Sequence, residues 1–275
     1  MSRRMLDRLM PCATLWLALG LPAAYAQCPP AAWTPDALQR LKADGWKLED
    51  ASQRQTLATA LLPCLADAKP QLRDGIAFEG LSAWLRGKQL TPTTQLAIYQ
   101  SQLALLASQA PDEEGFAKPF AALVLSEVAR ADRLVPFLAP PERAALVEAG
   151  ADYLSRITDY RGFATGQGWR HAVAHAADLM LQLTLNPAVD ATQLQRMLRA
   201  VQVQVAPPGE HFYIYGEGDR LARPVVYAAR RGLLDTNFWN TYIANLASPA
   251  PMKSWDDAFN TQAGLARLHN TKAFL

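Results

Sequence analysis

Apolar residues recur along this chain at intervals of three and four. Leu96, Tyr99, Leu103 and Leu106 make one such stripe, and Leu146, Gly150, Tyr153, Leu154 and Ile157 make another. This is the period of amphipathic helices that bury one face. Sustained alternation of period two is absent, and the one strand-like run covers only residues 212–215. Helix-start signals are frequent. Thr34-Pro35 and Thr91-Pro92 each set a capping hydroxyl before a proline suited to the first turn. Asp190 with Gln193, and Ser254 with Asp257, have the spacing of capping boxes.

The pattern predicts about 10–11 helices, starting near residues 35, 51, 73, 92, 115, 140, 168, 190, 219, 236 and 254. The starts at 92, 140, 190 and 236 are 48, 50 and 46 residues apart. That is close to the period of about 40–47 residues in HEAT-like helix pairs. Residue identity between the units is low, so the repeat is one of pattern. The expected fold is all-α, an α-solenoid of antiparallel helix pairs, with an irregular helical bundle as its competitor. No Gly-, Ser- or Pro-rich linker divides residues 27–275, which read as a single domain.

The first 26 residues stand apart. Arg3, Arg4 and Arg8 precede the uncharged and mostly apolar residues 12–24, and Ala24-Tyr25-Ala26 offers small residues at the positions a signal peptidase reads. This is the anatomy of a cleaved signal peptide, and it predicts export to the periplasm or beyond, with no membrane insertion after cleavage. Removing it takes three arginines and Asp7. Lys+Arg then falls from 27 to 24 and Asp+Glu from 25 to 24, which leaves a formally neutral chain. A neutral chain lacks the electrostatic footprint of a nucleic-acid binder. Cys28 and Cys64 remain, an even pair in an oxidising compartment, and read as a disulfide. Closing that loop stabilises the fold by roughly 3–4 kcal/mol in the chain-entropy view, and it pins the mature N-terminus to the end of the second helix.

Candidate chemistry concentrates in residues 159–178. Gly162, Gly166 and Gly168 lead into a helix on which His171, His175, Asp178 and Gln182 form one polar stripe, while Ala172, Ala174, Ala176 and Ala177 invite close packing by a neighbour. Two imidazoles four residues apart, with a carboxylate one turn on, can share a divalent metal such as zinc, with His211, Glu217 or Asp219 completing the set. Ala172 stands where the metalloprotease pattern H-E-x-x-H has its glutamate, so no general base is identified. The other reading is a hydrogen-bonded polar seam in which His175 and Asp178 meet arginines from the next repeat. In a second segment, residues 211–223, Gly216 and Gly218 flank Glu217, and Asp219 is placed to cap a helix carrying Arg220 and Arg223. Together these predict a groove formed by Asp159, Arg161, Trp169, His171, His175, Asp178, Glu217, Asp219 and Arg220.

There is no P-loop, no G-x-G-x-x-G opening a helix, no G-x-S-x-G elbow, no C-x-x-C-H and no EF-hand loop, which argues against nucleotide enzymes, serine hydrolases and c-type cytochromes. The remaining histidine is His269. Trp33, Trp46, Trp84, Trp169, Trp239 and Trp255 are spread along the chain and read as packing residues.

The run GWRHAVAHAADLMLQL, Arg73-Asp74 with the helix to Trp84, LVLSEVARADR at residues 123–133 and EGDRLA at residues 217–222 resemble a bacterial family known as domain of unknown function 2785. The resemblance spans about residues 73–239. It implies an all-α, HEAT-like fold and no activity, and the exported section with Cys28 and Cys64 departs from the cytosolic members. The expected function is non-enzymatic capture of a protein, peptide or small ligand in a concave groove. Its rivals are a metal-dependent hydrolase using His171, His175 and a carboxylate, and a structural envelope protein.

Overall fold

The computed structural model of the protein describes residues 28–275, and the signal-peptide expectation falls on residues outside that span. The described residues form an all-α structure. Helices α1 (Pro35–Ala43) and α2 (Ala51–Ala60) are followed by a 3-10 turn, Leu62–Ala66. The short α3 (Pro70–Leu72) runs through a π-helical stretch, Arg73–Phe78, into α4 (Glu79–Arg86). Next come α5 (Pro92–Ala107), α6 (Ala117–Leu134), α7 (Pro140–Arg156), α8 (Ala172–Thr184) and α9 (Ala191–Val205). After α10 (Glu217–Arg231) and α11 (Thr236–Ala247), a 3-10 turn, Trp255–Asn260, leads to α12 (Gln262–Phe274).

Local chemistry sets many of these boundaries. The Thr34 hydroxyl accepts from the Ala37 N–H at 3.2 Å, and the Thr91 hydroxyl accepts from Thr94 at the same distance. Asp190 and Gln193 close a reciprocal box, each side chain accepting from the other's backbone N–H at 2.8 and 3.0 Å. Elsewhere the structure corrects the reading. The helix expected at 73 begins at Pro70. The start expected at 254 is a 3-10 turn, and Thr261 caps a further helix, α12, that the periodicity did not separate. The glycine-rich loop before α8 is an antiparallel hairpin, β1 (Phe163–Ala164) with β2 (Gly168–Trp169), so α8 starts four residues later than expected. Residues 212–215 join no sheet, and Tyr215 begins a bend.

Alternate helices lie side by side. Helix α6 packs on α4 and α8, α8 on α10, and α10 on α12, while α5 packs on α7, α7 on α9 and α9 on α11. From α4 to α10 neighbours in the even series run parallel, whereas α12 sets its C-terminal end, at Ala273, against Gly218 at the start of α10. Phe120 of α6 meets His175 of α8, and further along Arg133 reaches Gln182 at 3.3 Å. Likewise His171 faces Glu217 and Asp178 pairs with Arg220, in the same order along α8 and α10. Helix α8 sits in the middle of this series, and ten of its thirteen residues are buried. Its alanines let α6 and α10 approach on either side, as expected of small residues at a helix contact. Cys28 and Cys64 are bonded, which ties the chain before α1 to the 3-10 turn after α2. Trp84 and Trp46 are buried edge to face, and the Trp84 indole N–H donates to the Trp46 carbonyl at 2.9 Å. Among the described residues no helix is long and apolar enough to cross a membrane.

Candidate functional site

The hairpin before α8 is anchored from beneath by two buried arginines. Arg170 donates through Nε to the Glu114 carbonyl at 2.7 Å and through Nη1 to Gln167 Oε1 at 3.0 Å. Arg73 donates to the Gln167 carbonyl at 2.6 Å and to the Asp67 carbonyl at 2.9 Å. Both guanidiniums lie against the Phe116 ring, 3.9 and 4.3 Å from its centroid. Gly168 has φ +74°, and a Cβ there would sit 3.0 Å from the Arg73 guanidinium, so both its conformation and its neighbour demand glycine.

The chain then enters α8 through His171, whose φ of 55° is a left-handed conformation uncommon outside glycine. Such strain is characteristically held at functional positions. The turn presses the His171 ring flat on Trp169, with centroids 4.6 Å apart, and tilts it toward His175 at 5.7 Å. Tyr215 stands edge-on to Trp169 at 5.3 Å, and Phe163 packs on the same indole at 5.2 Å. A Cβ on Gly162 would fall 2.1 Å from the Tyr215 ring, so that glycine lets the tyrosine lie on the hairpin backbone.

Below this aromatic rim is a buried cluster of polar groups. Glu217 is 3% exposed; its Oε2 accepts from the Tyr215 N–H at 2.9 Å, and its Oε1 lies 3.9 Å from His171 Nε2. His211 stacks on Tyr160 at 5.2 Å. His171 Nε2, His175 Nδ1 and His211 Nε2 are buried without a hydrogen-bond partner. Burial pushes the pKa of all three imidazoles down. His175 is held at about 3, by burial first and then by the His171 and Arg220 charges, while Glu217 partly opposes the shift at His171 and His211. The rings are therefore neutral near pH 7. Each offers one donor and one acceptor, and His175 is too weak a base to take a proton there.

Beside this cluster runs a backbone edge. Residues 211–214 belong to no helix or strand and Tyr215 begins a bend, and side chains bond every second residue of the run. Asn270 accepts from the Tyr213 N–H at 2.8 Å and donates to the His211 carbonyl at 2.9 Å. His269 Nε2 lies 3.0 Å from the Tyr213 carbonyl, and Glu217 takes the Tyr215 N–H. Among the described residues, the N–H and C=O groups of Phe212 and Ile214 have no protein partner. The Ile214 side chain is 66% exposed.

Trp169, His171, His175 and Glu217 lie together, and the other expected residues are placed elsewhere. Asp178 forms an ion pair with Arg220 at the flank of the cluster. Burial raises the Asp178 carboxyl, against the pull of Arg220 and Arg223. Asp159 is gripped by Arg161 through Nε at 2.9 Å and Nη2 at 2.6 Å on the far side of the hairpin, where it lines a separate cavity of about 230 Å³ with Asp112, Lys118 and Tyr153. Asp219 is exposed and does not cap α10, whose cap is Gly216; Asp219 is the third residue inside the helix. The metal expectation for His171, His175 and Asp178 meets no gathered ligand set. Among the described residues no group of three His, Cys, Asp or Glu side chains is disposed to hold an ion, and Asp178 is committed to Arg220. Sequence reasoning missed Tyr160, Tyr215, Phe163, Ile214 and the Asn270–His269 pair. The short strand-like run at 212–215 was the available signal for the edge.

The model of a family described as protein of unknown function (DUF2785) matches residues 106–275. That span is more than half of the chain, and the chain belongs to this family. No curated protein and no solved structure matches it.

Proposed function

We propose that this member of the family is an exported, non-enzymatic peptide-binding protein, and that its recognition site is the edge at residues 211–215 beside the Trp169–Tyr215 rim. One observation carries the reading. At residues 211–215 the odd-numbered backbone groups are fixed by Asn270, His269 and Glu217, the alternation of a strand bonded along one side, and Phe212 and Ile214 keep free donors and acceptors. A ligand strand that pairs there gains main-chain hydrogen bonds without ordering the receptor first. The exposed Phe163 and Ile214, with Trp169 and Tyr215, supply the aromatic and aliphatic anchors typical of binding hot spots. The neutral imidazoles and Glu217 lie as a buried polar layer directly beneath this rim.

The parallel packing of alternate helices supports a HEAT-like α-solenoid, an architecture that displays extended binding surfaces. The arginine-rich start and small-residue cleavage motif of the first 26 residues support export, as does the Cys28–Cys64 bridge, since disulfides persist in oxidising compartments. The Arg220–Asp178 pair favours binding over metal-dependent hydrolysis, because it takes up the carboxylate that a metal would need.

The test is selection of a displayed random-peptide library on the folded protein, followed by titration of the selected peptides on Ile214→Pro. Proline removes the free Ile214 N–H, which no group among the described residues accepts, and a thermal melt matching the wild type is the control for the restriction it places on the backbone of Tyr213 and Ile214. The expected outcome is saturable binding that Ile214→Pro weakens at least about tenfold, the equivalent of one main-chain hydrogen bond of about 1.4 kcal/mol. Failure to enrich any binding peptide, or full binding to Ile214→Pro, contradicts the reading.

A further inference from the structure

A second cavity lies far along α6 from the histidine cluster, where the end of α4, the start of α5 and the turn from α6 to α7 meet. Its volume is about 230 Å³. The floor is apolar, made by Leu85, Leu90, Ala131 and Phe137, and its lip carries Leu134 and Val135, which are 47% and 54% exposed. Arg86, Lys88 and Arg130 stand around it, and no Asp or Glu lines it.

Two of these cations have no protein counter-charge. Arg86 is spent on Glu127, to which its Nε donates at 2.9 Å. Lys88 is exposed and Arg130 half-buried, and among the described residues neither side chain makes an ion pair or a hydrogen bond. Attraction to helix C-termini accounts for Arg86, in the last turn of α4, and for Lys88 just beyond it. It does not account for Arg130, which makes no bond to the carbonyls ending α6. An apolar hollow edged by two uncompensated cations is complementary to an apolar body with one anionic head. A cavity of about 150 Å³ takes benzene, so one of this size takes roughly nine carbon-sized atoms.

We propose that this cavity binds a medium-chain carboxylate, its alkyl chain on Leu85, Leu90 and Phe137 and its carboxylate between Arg130 and Lys88. The site is independent of the peptide edge and stands or falls without it.

Octanoate is the probe, titrated calorimetrically into the intact protein beside 1-octanol and into Arg130→Gln and Lys88→Gln. Saturable one-to-one binding of octanoate is expected, at least about tenfold tighter than octanol, with a loss of about tenfold in Arg130→Gln for one charge-assisted contact. Lys88 lies on the surface, so Lys88→Gln keeps the fold and gives a second reading in the same direction. Four results overturn the proposal. One is no saturation by roughly 10 mM octanoate. Another is octanol binding as tightly as octanoate. The third is unchanged affinity in both variants. Self-association that excludes octanoate also overturns it, and assigns the groove to a second copy of the chain.

Discussion

At the scale of single residues, His175 shows most clearly how a polar group behaves inside this protein. Its ring packs edge-on to Phe120, 7% of the residue is exposed, and Nδ1 has no partner. A histidine that titrates near 6.5 when unfolded and at about 3 when folded binds its proton more tightly in the unfolded chain. Its effect on stability is therefore nil above pH 6.5 and grows as pH falls through that value toward 3, always destabilising. His171 and His211 are shifted in the same direction. Urea unfolding is expected to show a loss of about 2 kcal/mol between pH 7 and pH 5 from His175 alone. His175→Leu should remove most of that loss and leave the protein more stable at pH 5, because an apolar side chain of similar volume has no buried nitrogen to leave unpaired. A variant with the wild-type pH dependence would show that the imidazole is not buried in this way.

At the scale of elements, junctions between helices are held by buried charge, and Asp132 is the clearest case. It is 1% exposed near the end of α6. It accepts from the backbone of Phe137 and Leu138 at 3.0 and 2.9 Å, from Arg143 of α7 at 2.8 Å and from Asn186 after α8 at 3.0 Å. Burial works to raise its pKa, but the Arg143 and backbone hydrogen bonds outweigh it and hold the carboxyl below its usual range. Asp132→Ala strands the buried Arg143 and should cost about 3–5 kcal/mol in denaturant unfolding. The double replacement with Arg143→Met should cost less than the single one. A loss under about 1 kcal/mol for Asp132→Ala would mean the junction is solvated.

The same junctions explain what the sequence could and could not disclose. Starts at 35, 51, 92, 140 and 236 were legible because a capping side chain or a proline within one turn decides them. The π-helical stretch at Arg73–Phe78 was not, because the Arg73 guanidinium within it is held by Gln167, 94 residues away. The late start of α8 follows from Arg170 and the hairpin it anchors, again through distant partners. In the site, Trp169, His171, His175 and Glu217 were legible as unusual residues near glycines. Asp159, Arg161 and Asp219 went elsewhere, because a local ion pair or an exposed helix turn satisfied them first.

At the scale of the molecule, the even-numbered series α4 to α12 carries the site. Helix α8 and its cap supply His175 and His171, α10 supplies Glu217, and α12 reaches across with His269 and Asn270 to hold the edge. Peptide capture at that edge is the central claim, and amide hydrogen exchange resolved by residue tests it most directly. The account predicts that the Phe212 and Ile214 amides exchange rapidly in the free protein and become protected when a selected peptide is bound, while Tyr213 and Tyr215 are protected in both states. An Ile214 amide that is already protected without peptide, or still exposed with it, would contradict the account.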